Sequence, residues 1–189
     1  VRRLHSLPDA VRGDRLAFRR PRRRDAAAIF AAYASDPEVT RHLTWRTHRS
    51  LADTHAFLDA SDRGWATGYD RPYLAWLGLE LVGSTGLTRV GPGRVRTGYL
   101  VRRDRWGQGF AREMLRTMVD LAAARGVARA VEALVDPDHV RSRRVLEREG
   151  FRVEGEATGV HPNLGPETRP LLRYVRFVDA AGVGAVPQP

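Results

Sequence analysis

The stretch Gly98-Tyr99-Leu100-Val101-Arg102-Arg103-Asp104-Arg105-Trp106-Gly107-Gln108-Gly109-Phe110-Ala111-Arg112-Glu113 joins glycine, arginine and a helix start. Gly107 and Gly109 lie where a strand pattern gives way to a helical one. A helix start leaves its first backbone N–H groups unpaired and carries partial positive charge. Small residues let an anion come close to those groups. The chemistry this suggests is phosphate binding. A tight strand-to-helix connection with no ligand has the same glycine spacing, so the rest of the chain must decide.

The elements around that stretch are readable in outline. Val1 to Asp14 is polar and basic and reads as a loose arm. Leu16-Ala17-Phe18-Arg19 alternates and predicts a short strand. Asp25 can cap a helix to about Ser35, with Ala28, Ile29, Ala32 and Tyr33 on one face, and Asp36-Pro37 breaks it. Val39 to Arg49 is irregular, and its Trp45 either lines a pocket or pins a surface loop. Ser50 to Asp53 resembles a capping box, opening a helix that ends before Gly64. Gly64 to Arg71 reads as a loop.

Tyr73–Trp76, Leu79–Thr88 and Arg94–Val101 follow as three strands joined by short turns, the second turn marked by Gly91-Pro92-Gly93. After the glycine turn, Ala111, Met114, Leu115, Met118, Val119 and Ala122 repeat at helical spacing, and Gly126 ends the helix. Ala128–Asp136 is a strand, and His139–Glu149 a helix capped by Gly150. Phe151 to Val153 begins another strand, Gly159 to Pro170 is a long loop, and Leu171–Val178 is the last strand. The order implies an α/β, or mixed α+β, fold with helices on the faces of one mixed sheet. One domain is expected over residues 15–179, with a flexible arm over 1–14 and a disordered tail over 180–189.

Composition narrows the classes. The chain of 189 residues can bury a real core and has no cysteine, which excludes disulfides, thiolate metal sites and a cysteine nucleophile. No apolar run is long enough to span a bilayer, so no membrane partner is expected. Val1 to Leu7 lacks an apolar core, so no secretory signal is expected and cytoplasm is the default. The net charge of +10 makes nucleic acid the first partner to weigh. Every basic residue other than histidine is arginine, which fits a coding bias as well as a functional choice. The arginines are scattered except for Arg19 to Arg24, and no basic motif is interleaved with base-stacking aromatics. A basic chain also steers nucleotide-bearing cofactors.

The segment Gly98 to Phe151 resembles the GNAT superfamily of acyl-CoA-dependent N-acetyltransferases, and within it the ribosomal-protein N-terminal acetyltransferase branch. Trp106-Gly107-Gln108-Gly109-Phe110-Ala111-Arg112-Glu113 is similar to that branch's coenzyme-A loop. Ser142-Arg143-Arg144-Val145-Leu146-Glu147 with Gly150-Phe151 is similar to its next motif. Leu16 to Arg19 with Asp25 resembles its first strand and helix. The resemblance implies a central mixed, mostly antiparallel twisted sheet flanked by helices.

It also implies a function: transfer of acetyl from acetyl-CoA to a primary amine, either a protein N-terminus or a small molecule. Trp106, Gly107, Gln108, Gly109, Phe110, Ala111 and Arg112 would supply N–H groups to the pyrophosphate, with charge from Arg102, Arg103 and Arg105. Leu100 and Val101 would offer a strand edge to the pantetheine arm. His139 stands where the superfamily places an asparagine that bonds this arm. Leu146 stands where many members have a tyrosine general acid, which leaves Ser142 as the hydroxyl candidate. For the base, Glu132, Glu80, His42 and His48 are all open, as is a water relay. No metal is expected. The alternatives are a larger donor such as succinyl-CoA, or a non-catalytic protein of the same scaffold that binds coenzyme A or nucleic acid. Strands after Val153 could pair two copies into a homodimer.

Overall fold

The computed structural model describes residues 4–178. The expected tail lies outside them, as do residues 1–3 of the expected arm. In chain order the elements are β1 (Ala10–Arg12), β2 (Ala17–Arg19), α1 (Ala26–Ile29), α2 (Pro37–Thr40), α3 (Leu51–Thr67), β3 (Asp70–Leu77), β4 (Glu80–Gly91), β5 (Arg94–Val101), α4 (Phe110–Ala124), β6 (Ala130–Val135), α5 (Val140–Arg148), β7 (Arg152–Val160) and β8 (Thr168–Phe177). The strands form one sheet in the order β1-β2-β3-β4-β5-β6-β8-β7. Every pairing is antiparallel except β5 with β6, so the sheet is mixed and mostly antiparallel.

Helices cover both faces. On one, Met114, Leu115, Met118 and Ala122 of α4 join Leu146 of α5 over Val95, Val101, Val131 and Ala133. This is the apolar stripe that the spacing of α4 predicts, buried from Met114 to Ala122 with Ala111 at its margin. On the other, Ile29 and Tyr33 pack with Leu58 of α3 against Leu74 and Leu81. The first helix continues past α1 as one wider π-type turn, Phe30–Ala34.

Three expectations are corrected. The N-terminal segment is not a loose arm over its described part, because Leu4 and Leu7 are buried and β1 pairs with β2. Glu113 of α4 fastens this hairpin, its carboxylate accepting the N–H groups of Arg15 (2.6 Å) and Leu16 (2.7 Å) and Nε of Arg15 (2.9 Å). Next, α3 runs through Gly64 instead of ending before it. A side chain at Gly64 would meet Asp70, so this glycine serves close packing, and the stop is Gly68 at φ 67°. Finally, the expected long loop is short, residues 161–167, because β7 and β8 extend into it as a paired hairpin.

Candidate active site

The parallel pair β5 and β6 share register only at Arg94–Ala130, Val95–Val131 and Arg96–Glu132. Beyond Arg96 and Glu132 the two strands continue to Val101 and Val135 without pairing, so a cleft opens between their carboxyl ends. Arg102 N donates to the Val82 carbonyl on β4 at 2.8 Å. Ladder alternation then points Leu100 toward β4, and turns the N–H and C=O groups of Tyr99 and Val101 toward the cleft. The open edge is therefore Tyr99 and the N–H of Val101, whose carbonyl accepts from Trp106 Nε1. Leu100 is corrected: its polar backbone belongs to the β4 ladder.

Both strands lead into helices that start at this end of the cleft. Gly107 and Gly109 have φ of 78° and 81°, the left-handed region where glycine is favoured. Gly109 is the N-cap of α4, and no side chain caps that helix. Its first-turn N–H groups thus remain available to an anion. Trp106 is held by Nε1 donating to the Val101 carbonyl at 2.7 Å, and Arg141 from the first turn of α5 lies 5.6 Å over its ring. Gln108 offers its carbonyl to Arg15 at 3.0 Å, Phe110 is buried, and Ala111 packs at the core margin.

The arginines divide differently from expectation. Arg105 is paired with Glu80 at 2.7 Å, Arg102 with Glu80 at 3.2 Å and Asp104 at 2.6 Å, and Arg112 with Glu149 at 2.7 Å. Their first task is to brace the loop. Arg103 and Arg141 make no ion pair among the described residues, and they are the freer cations at this end. Arg141 went unnoticed because nothing in its local sequence ties it to Trp106.

Inside the cleft, the Tyr99 hydroxyl lies 3.0 Å from Ser142 Oγ and donates to the Ser142 carbonyl at 3.2 Å. Burial pushes the Tyr99 phenol up to about 12, against the pull of its bond to Ser142. This hydroxyl pair links β5 to α5. The sequence carries no sign of it, since the partners are 43 residues apart.

A second group lies at the end of β6, where Asp136 meets His42, His161 and Arg169. Asp136 Oδ2 is 3.6 Å from His42 Nδ1, 3.8 Å from His161 Nδ1 and 3.6 Å from Arg169 Nε. His139, the N-cap residue of α5, stacks on His42 with centroids 4.3 Å apart. Burial, aided by His42, lowers the His139 imidazole to about 4. Burial also lowers His161. Burial opposes ionisation of Asp136, but the Asp138 N–H together with His42, Arg169 and His161 outweighs it and leaves the carboxyl below its ordinary range. Two imidazoles and a carboxylate are divalent-metal donor types. Here, though, the Arg169 guanidinium already brings positive charge to the same oxygen.

The matches to known proteins bear on this arrangement. Residues 15–152 match the model of the acetyltransferase (GNAT) domain. The chain belongs to the GNAT acetyltransferase family. An uncharacterized N-acetyltransferase of Bacillus subtilis, YoaA, is 32% identical over 151 residues, 75% of this chain and 82% of that protein. RimJ of Mycobacterium smegmatis, solved with a coenzyme-A disulfide, is 25% identical with a TM-score of 0.75, covering 89% of this chain and 85% of its own. RimL, a ribosomal L7/L12 α-N-protein acetyltransferase solved with coenzyme A, shares the fold at a TM-score of 0.79 and 20% identity, over 93% and 99% of the two chains.

In this GNAT acetyltransferase the expected site residues fall into two sets. The loop expected to bind coenzyme A, the β5 edge, Ser142 and His139 gather around one cleft. Most candidate bases are bound up in structure. Glu132 is buried where the cleft closes and holds Arg96 at 2.8 Å, with Arg94 at 3.7 Å. Glu80 holds Arg105 and Arg102, and His48 bonds Thr54 at 2.9 Å. Trp45 lies partly buried against the α1–α3 core, its carbonyl bonded to Asn163, which favours the pinned-loop reading. No helix among the described residues is long and apolar enough to cross a membrane.

Proposed function

We propose that this GNAT acetyltransferase binds acetyl-CoA in the cleft between β5 and β6 and acetylates a primary amine, either a protein N-terminus or a small-molecule amine. The single observation that carries the reading is the splayed pair of parallel strands opening onto the uncapped, glycine-flanked start of α4. The donor set fits: first-turn N–H groups and Arg103 suit the pyrophosphate, and the edge of Tyr99 and Val101 suits the amide-bearing pantetheine arm, as a strand edge suits a peptide.

In this mechanism the neutral amine nitrogen attacks the thioester carbon, with no covalent enzyme intermediate. A cleft-facing N–H such as that of Val101 stabilises the oxyanion. The C–S bond breaks and the thiolate takes a proton from Ser142, which Tyr99 orients and which regains a proton from the nitrogen of the adduct. A thiol of pKa about 8.5 is a tolerable leaving group, so this acid helps without being obligatory. The N-terminal amine reading draws on RimL and RimJ, and the small-amine reading remains open beside it. Nanomole-scale calorimetry with acetyl-CoA and coenzyme A tests the donor, with succinyl-CoA as comparison. Coenzyme-A thiol release against amines and peptides of varied N-terminal residue tests the acceptor. No heat with either coenzyme would overturn the reading.

A further inference from the structure

His42, Asp136 and His161 come from segments far apart in sequence, yet their donor atoms all lie within 4.8 Å of one another. Asp136 Oδ2 and the Nδ1 atoms of both histidines are buried with no hydrogen-bond partner. Asp136 and His161 are 2% and 3% exposed. Unpaired polar atoms so deeply placed are costly, about 1–3 kcal/mol each, and are rare without a role. The His42 side chain is the open member, at 22% exposure, and its Nε2 is outside the buried set. The ring stacks on His139, which begins the same helical turn that carries Ser142.

We propose that His42 is the general base for the acceptor amine, with Asp136 as the positioning residue that orients its ring through Nδ1. This rests on the N-acetyltransferase reading. The acceptor ammonium passes one proton to His42 Nε2, and its freed lone pair forms the C–N bond; the C–S bond then breaks as the second proton on that nitrogen passes through Ser142 to the departing thiolate. The imidazolium is stabilised by the Asp136 carboxylate and returns its proton to solvent. A base oriented by a carboxylate is a recurrent solution, and such bonds are commonly long until substrate is bound. The groups around this ring are Asp136, His139 and His161, with Arg169 on the same Asp136 oxygen, Asp138 beside Arg169 and Arg141 acting on His139. The two neighbouring histidines are held neutral by burial, so neither opposes the new imidazolium. Arg169 beside Asp136 disfavours a lodged ammonium and favours the neutral nucleophile.

The test uses the full chain with acetyl-CoA and peptides beginning Ser, Ala or Met as probes. His42→Gln is expected to lower kcat/KM at pH 7 roughly 100-fold, with Tm and acetyl-CoA affinity unchanged. The deficit shrinks above pH ~8, where the α-amine has lost its own proton. Added imidazole restores activity to His42→Ala. Asp136→Asn shifts the acidic limb of the pH–rate profile downward, because the carboxylate no longer favours the imidazolium. Where that buried change unfolds the chain, the His42 variants decide. Wild-type activity and pH profile in His42→Gln would overturn the proposal and leave the acetyltransferase reading standing. A pH-independent loss with no imidazole rescue would also overturn it, as would inactivation by chelator reversed by zinc. No heat with acetyl-CoA or coenzyme A in the wild type would overturn both readings together.

Discussion

At the residue scale, the hydroxyl pair of Ser142 and Tyr99 makes a claim separate from the base. Ser142→Ala removes the proposed acid while the thiolate can still leave, so kcat is expected to fall only about 10-fold. Tyr99→Phe keeps the ring and loses the bond, and should produce part of the same loss. With its phenol pushed up to about 12, Tyr99 stays protonated through any practical assay. A basic limb below pH ~10 that disappears in Tyr99→Phe would contradict this assignment. His139 sets a stability prediction. Its folded pKa of about 4 lies below the ordinary 6.5, so between these values the unfolded chain binds more protons. Stability is therefore present above pH 6.5 and is lost as pH falls toward 4. Discounted for partial exposure, the loss is about 1–2 kcal/mol, a Tm decrease of roughly 2–8 °C. His139→Asn should flatten that slope in thermal melts at stepped pH.

At the element scale, the cleft depends on where β5 ends. A Cβ on Gly83 of β4 would overlap the Leu100 carbonyl oxygen and press on Met114 at 3.0 Å. Because rigid backbone is what it meets, Gly83→Ala must push β5 toward the cleft. Acetyl-CoA affinity is expected to weaken at least about tenfold in calorimetry, equivalent to 1.4 kcal/mol. An unchanged Kd would show that the β5 edge does not bind the donor. Glu113→Ala strips the β1–β2 hairpin of its three bonds to α4 and should cost about 2 kcal/mol, or roughly 4–8 °C of Tm. The contrast in legibility follows from range. Strand β5 and helix α4 were readable because period-two and period-3.6 patterns are local and both faces are filled. Gly64 misled because a glycine needed for close packing against Asp70 looks the same as a glycine that stops a helix. β1 was hidden because its three residues, Ala10–Arg12, are half-exposed and gain their order from β2 and Glu113.

At the scale of the whole molecule, charge and loop assembly were the least legible features. The Arg19 to Arg24 run is largely absorbed by the fold: Arg19 pairs with Asp25 at 2.7 Å, Arg20 with Asp62 at 2.7 Å and Arg23 with Asp59 at 2.9 Å. A dense basic run thus fastens the segment between β2 and α1 to α3, and carries little of the argument for a nucleic-acid surface. The base candidates could not be ranked from sequence, because what separates His42 from Glu80 and Glu132 is which carboxylates find arginines across the sheet.

The loop that brings His42 to Asp136 is tied to the β7–β8 connection by one side chain, Asn163. Asn163, between β7 and β8, accepts from Thr47 N at 2.9 Å and donates to the carbonyls of Thr40 and Trp45 at 2.7 and 2.8 Å. Its bonds span more than a hundred residues of sequence, and they bracket His42. None of them touches β5, the glycine turn or α4. Asn163→Ala should therefore separate the two halves of the reaction. The unpaired carbonyls and N–H cost about 1–3 kcal/mol, the 41–49 segment loosens, and kcat/KM for an amine acceptor falls. Acetyl-CoA affinity should stay within about twofold, a difference of roughly 0.4 kcal/mol. Calorimetry with acetyl-CoA beside thiol-release kinetics on one peptide measures both quantities. Equal losses in the two would mean that the donor cleft and the histidine cluster are one mechanical unit, and that Asn163 holds both.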